Sequence, residues 1–168
     1  MGDIHRFGNP HYWLDPQNGK RIASLIAQKL SNAAPKSSEL FYQNLDAFNL
    51  QLDNAIIDWE KRFVNLRGKK LIYYHNSWPY FSNRFGLDTV GFLEPKPGIT
   101  PSPSKLNQII QLIETETIQV IASETYFSDR APKFIASKTG VKTVQLAQSV
   151  GALAGADSYI NLFETNLN

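Results

Sequence analysis

Cysteine is absent from the 168 residues. Disulfides and thiolate metal sites are therefore excluded, and any transition-metal site must be built from His, Asp, Glu or water. No apolar run approaches the roughly 20 residues a membrane-spanning helix needs. Met1 is followed by Gly2-Asp3-Ile4-His5, which is not a signal peptide, so the chain as written reads as soluble and without an export signal. Blocks of one charge are lacking as well: 17 Lys and Arg and 15 Asp and Glu are spread along the chain, leaving a net charge of +2. With no RNP-like aromatic motif and no zinc-finger spacing, nucleic acid is not an expected partner. Ser149-Val150-Gly151-Ala152-Leu153-Ala154-Gly155 has the glycines of a phosphate loop but neither its Lys-Ser/Thr nor a GxGxxG spacing, so nucleotide sites are excluded. Gly-x-Ser-x-Gly is missing, and only three histidines exist to serve as a base.

What remains is an ordinary globular balance, 42% hydrophobic and 19% charged, enough for one packed domain with an appendage. Residues 1–14 are irregular, broken by Gly2, Gly8 and Pro10. Asp15 is a good N-cap and Pro16 a good first helical residue. Ile22, Leu25, Ile26 and Leu30 then mark one face of a helix over about 16–31, which Ala33-Ala34-Pro35 ends. A second stripe follows: Phe41, Leu45, Phe48, Leu52, Ile56, Trp59, Phe63 and Leu66 recur at intervals of three and four, with no Gly or Pro until Gly68. That predicts a helix of about 30 residues, roughly 45 Å long. The stripe is rich in aromatics and its flanking charges form no regular ladder, so packing within the molecule is favoured over a coiled coil.

Beyond Gly68 the pattern alternates. Strands are predicted over about 70–75, 88–94, 118–124 and 142–148, and helices over 77–85, 103–115, 128–138 and 157–166. Successive βα units imply an α/β fold, a four-stranded parallel sheet with helices on both faces. The expected organisation is 1–35 as one segment, 36–68 as a long linker helix and 69–168 as the α/β lobe. The predicted strands end at His75, Glu94, Glu124 and Gln148, and carboxyl ends of parallel strands share one edge, where ligands bind. His with two carboxylates is a set that zinc, manganese or ferrous iron accepts. The bland alternative is that strands end on polar residues as they emerge toward water. His5 reads as a solvated loop histidine, whereas His11, boxed between Asn9-Pro10 and Tyr12-Trp13-Leu14-Asp15, sits in a turn that would hold its ring rigidly.

Several segments in series resemble the zinc/manganese solute-binding proteins of metal ABC transporters, the ZnuA/TroA-like family. They are Gly2-Asp-Ile-His-Arg-Phe-Gly-Asn-Pro-His-Tyr-Trp-Leu-Asp-Pro16, the histidine motif Tyr74-His-Asn-Ser-Trp-Pro-Tyr-Phe-Ser-Asn-Arg-Phe-Gly-Leu87, Phe92-Leu-Glu-Pro-Lys-Pro-Gly-Ile-Thr-Pro-Ser-Pro103, Glu124-Thr-Tyr-Phe127 and Ser149–Tyr159. The resemblance implies two α/β lobes joined by a long rigid helix, with the ion held between the lobes and passed to a membrane permease. It implies His11 and His75 as metal ligands, zinc ahead of manganese, and a periplasmic or extracytoplasmic location. Glu94 and Glu124 would orient the histidines or act as weak ligands.

Two departures from the family pattern stand out. Its first lobe and that lobe's histidine have no counterpart upstream of Met1, so the chain reads as a C-terminal half, truncated or with a misassigned start. The position of the family's acidic ligand is Gln148, whose neutral amide oxygen is a poorer zinc donor than a carboxylate. The apolar face of helix 16–31 would then lack its cover. Each such side chain is worth roughly 1.5–3 kcal/mol when buried, which leads us to expect self-association or poor order over 1–35. Two further readings stay open from the residues alone. One is a small metal-dependent α/β hydrolase using His75, Glu94 and Glu124 around an ion with an open water position. The other is a folded remnant without useful metal binding.

Overall fold

The computed structural model describes residues 8–94 and 96–168. His5 therefore lies outside the described residues, as does Pro95. The chain forms two compact units, one of Tyr12–Asn65 and the other of Leu66–Asn168 together with the residues up to His11.

The first unit is a helical hairpin. Its first helix, α1, spans Pro16–Ala33 and starts as the capping residues dictate: Asp15 Oδ1 accepts from Gln17 N at 3.0 Å and Pro16 occupies the first turn. Pro35 lacks the N–H needed to continue α1, and a short 3-10 turn, Pro35–Ser37, leads into α2, Ser38–Phe63. At 26 residues α2 is roughly 39 Å long. It ends earlier than the apolar stripe suggested because Val64–Leu66 tightens into a 3-10 turn and swings Leu66 out to solvent. Leu52, Ile56, Trp59 and Phe63 are buried, while Phe41, Leu45 and Phe48 are half-buried. The buried residues of α1 are Pro16, Gly19, Ala27 and Ser31, all small or compact. Its larger apolar residues stay outside, with Leu25 at 56%, Ile26 at 53% and Leu30 at 44% exposure. Lys20 Nζ bridges to Asp53 at 2.7 Å across the hairpin.

In the second unit the strands are β1 (Lys70–Tyr73), β2 (Asp88–Phe92), β3 (Val120–Glu124) and β4 (Lys142–Leu146). They alternate with α3 (Pro79–Phe85), α4 (Pro103–Glu116) and α5 (Arg130–Thr139), and α6 (Tyr159–Leu167) closes the chain. All pairings are parallel and the order is β2-β1-β3-β4. The fold is α/β. Its order reverses between β1 and β3, and at such a switch point the connections leave to opposite faces and open a crevice at the carboxyl edge.

Three strands stop two residues short of the expected ends, so His75, Glu94 and Gln148 stand in the loops just beyond them and only Glu124 is the last residue of its strand. The ladder fades rather than breaks: Tyr74 N still donates to Ala122 O at 2.8 Å, and Glu94 N to Tyr74 O at 2.9 Å. These bonds hold Glu94 level with the residue before His75. β3 starts two residues late because Thr117, at φ 55°, caps α4 and Ile118 N folds back to Ile113 O. One face of the sheet buries Ile72, Tyr74 and Ile121 against Ile109 and Ile113 of α4 and Ile135 of α5. On the other, Tyr73 stacks on Trp78 at 5.8 Å, and Phe81 of α3 meets Phe163 of α6 at 6.4 Å. Helices thus cover both faces. Among the described residues, no helix is long and apolar enough to cross a membrane.

Candidate metal centre

His75 leaves β1 at the switch point, in the loop that leads into α3. Its Nδ1 is hydrogen-bonded to Glu94 Oε2, and the pair is largely withdrawn from solvent. Glu94 is only 6% exposed, and its second oxygen accepts the Gly98 N–H at 2.5 Å. Gly98 turns with φ at +76°, a conformation open to glycine, and so aims its amide back at the carboxylate. A carboxylate can only accept, so His75 carries a hydrogen on Nδ1, and in the neutral ring the lone pair then lies on Nε2. Phe127 supplies an apolar wall: its ring stacks on Tyr74 at 4.2 Å and tilts toward His75 at 6.0 Å.

His11 arrives from far away in sequence. Gly8, at φ +97°, lets the chain turn into Asn9-Pro10-His11. Asn9 Oδ1 accepts the His11 backbone N–H at 2.9 Å, and His11 Nδ1 lies 2.8 Å from the same oxygen. The ring comes to rest edge-on to His75, with centroids 5.9 Å apart and planes at 73°. Two imidazoles so close, one backed by a buried carboxylate, form an arrangement that a divalent cation can bridge.

Glu124 takes a different place from the one its strand end suggested. It is fully buried, and Oε1 accepts from Trp78 Nε1 at 3.1 Å. Burial pushes its carboxyl pKa up, against the opposing pull of the Ser77 and Trp78 donors and of His75. Tyr74 and Tyr126 are raised first by burial and then by the Glu94 and Glu124 carboxylates. Gln148 is half-buried two residues past β4, where Asn166 grips the preceding Ala147 through its N at 2.7 Å and its O at 2.8 Å. The fold thus brings His11, His75 and Glu94 together and turns Glu124 inward. Among the described residues, no three or more His, Cys, Asp or Glu side chains are grouped to hold a metal ion.

The sequence reading gave Asn9 only as a turn former, and placed Trp78 and Tyr80 within the histidine motif without a role for either. The signal for Asn9 was its place before Pro10-His11, since short amides bond readily to nearby backbone. Nothing local marked Trp78, whose partner is 46 residues away.

Comparison with known proteins places the chain among metal-uptake proteins. The family model described as the periplasmic component A of the zinc-uptake complex matches residues 2–168. Over 167 residues the chain is 32% identical to the high-affinity zinc uptake system protein ZnuA of Yersinia pestis, covering 95% of this chain and 51% of that protein. Over 133 residues it is 29% identical to the protein of the same name from Brucella abortus strain 2308, covering 79% and 40%. Among solved structures, the laminin-binding protein Lmb of Streptococcus agalactiae, described as an adhesin with metal transporting activity, superposes with a TM-score of 0.84. The identity is 25%, over 99% of this chain and 65% of that one. The chain spans about half the length of the curated relatives it matches.

Proposed function

The chain belongs to the periplasmic zinc-uptake component A family, and from that premise we propose that it binds a divalent transition metal for a metal ABC importer. Zinc is the expected ion and manganese the alternative, because two imidazoles suit zinc better than an oxygen-loving cation. The observation that carries the reading is the pairing of His75, backed by Glu94, with His11. In this reading the ion is cargo: it is captured outside the cytoplasm, in the periplasm or its equivalent, and handed to a membrane permease. His11 and His75 are the ligands, and Glu94 orients His75.

No reaction is assigned. A hydrolase would need a carboxylate facing a metal-bound water, but Glu94 is committed to His75 and Gly98, and Glu124 is buried on Trp78. We also read α1 as a self-association surface. Ile26 and Leu30 line an apolar groove of about 250 Å³ with Ala27, Phe41, Leu45 and Phe48, and Leu25 stands beside it in water.

The test is a calorimetric zinc titration of metal-free protein, with His11→Ala and His75→Ala in parallel. Expected is one-to-one binding, weakened at least about tenfold, ~1.4 kcal/mol, by either substitution. Binding that neither substitution changes would overturn the assignment.

A further inference from the structure

We propose that Asn9 is a positioning residue that interlocks the two histidine loops and selects the tautomer of His11, an inference that rests on the metal-binding reading above. The orientation of its amide follows from its neighbours. Nδ2 faces the Asn76 carbonyl at 2.7 Å, which can only accept, and Oδ1 faces the His11 backbone N–H at 2.9 Å, which can only donate. The oxygen so identified lies 2.8 Å from His11 Nδ1. An amide oxygen cannot donate, so Nδ1 carries the ring hydrogen and Nε2 keeps the lone pair. Glu94 produces the same outcome at His75. Two histidines from distant loops therefore present the same nitrogen, one directed by a carboxylate and the other by an amide.

The second role is mechanical. Asn76 is the residue after His75, and Tyr80 Oη, in the first turn of α3, donates to the Asn9 carbonyl at 3.2 Å. One residue thus grips both sides of the loop that carries His75, across 67 and 71 positions of sequence. Aspartate would keep the acceptor but lose the donor to Asn76, and alanine would lose both. Both bonds fix the two loops relative to each other, and loops ordered in this way leave less ordering to oppose capture.

The test separates these roles. Long-range proton–nitrogen spectra of ¹⁵N-labelled, metal-free protein are recorded at about pH 8, above the ordinary histidine range. With three histidines, His5→Gln and His75→Gln suffice to assign them. Wild-type His11 is expected to carry its hydrogen on Nδ1, as is Asn9→Asp, whereas Asn9→Ala releases the ring to a mixture. Zinc affinity by chelator competition is expected to fall about 10–100-fold in Asn9→Ala. It should fall roughly 3–10-fold in Tyr80→Phe, with the tautomer unchanged. An Nε2–H tautomer at wild-type His11, or an unchanged tautomer in folded Asn9→Ala, overturns the proposal, and the wild-type spectrum alone decides if the alanine variant does not fold. Should the wild type bind no zinc, the metal reading falls, while the response of the His11 tautomer to Asn9 still settles the positioning role.

Discussion

Replacing Glu94 by glutamine changes one atom type and should disable the centre. The carboxylate receives two donors, Nδ1–H of His75 and N–H of Gly98, and is 6% exposed, so water cannot substitute for either. Glutamine has the same length but one accepting oxygen and one donating NH2. The Gly98 amide is fixed by the backbone and takes the oxygen, which leaves the NH2 facing His75. The imidazole can then satisfy it only by moving its hydrogen to Nε2, the nitrogen a metal needs. If the ring does not switch, two donors confront each other in a buried place, a penalty of about 1–3 kcal/mol. The first route withdraws the lone pair and the second drives the ring out of place, and residues that orient a ligating histidine are worth about 10–100-fold in metal affinity, roughly 1.4–2.7 kcal/mol. A chromophoric-chelator competition for zinc measures the affinity. Urea unfolding of the metal-free protein measures the structural share separately. Zinc affinity within twofold of wild type, in a variant with a native-like spectrum, would refute the reasoning.

Two other predictions concern residues other than the two histidines. Burial raises the Glu124 carboxyl pKa above its ordinary 4.5, so the folded protein holds that proton more tightly than the unfolded chain. Its stabilising share is therefore complete below the ordinary value and is lost as pH rises through the raised one. Glu124→Gln keeps an acceptor for Trp78 Nε1 and should flatten the urea midpoint across that window; parallel pH profiles for variant and wild type would count against it. On α1, the triple change of Leu25, Ile26 and Leu30 to Gln should shift the protein toward monomer in sedimentation velocity. A wild type that runs as a compact monomer with protected α1 amides would dispose of the self-association reading.

Most of the secondary structure could be read from the chain because its causes are local. The helix stripe at 41–66, the Asp15-Pro16 start and the alternation after Gly68 each involve residues a few positions apart. Side-chain entropy, capping and burial periodicity act at that range whatever the rest of the molecule does. The histidine motifs were legible for the same reason, as runs of contiguous residues. What no local pattern carried was the strand order β2-β1-β3-β4, which sets β1 beside β3 and opens the crevice at His75. Nor could it carry the meeting of His11 with His75, the amide of Asn9 reaching Asn76, or the turning of Glu124 onto Trp78. Those contacts join residues 46 to 67 positions apart, and which partner each finds depends on how the sheet and its helices pack. A polar residue at a strand end has the same sequence appearance whether it faces a cleft or an indole. The choice is made by desolvation and hydrogen-bond geometry, and these exist only once the chain has closed around it.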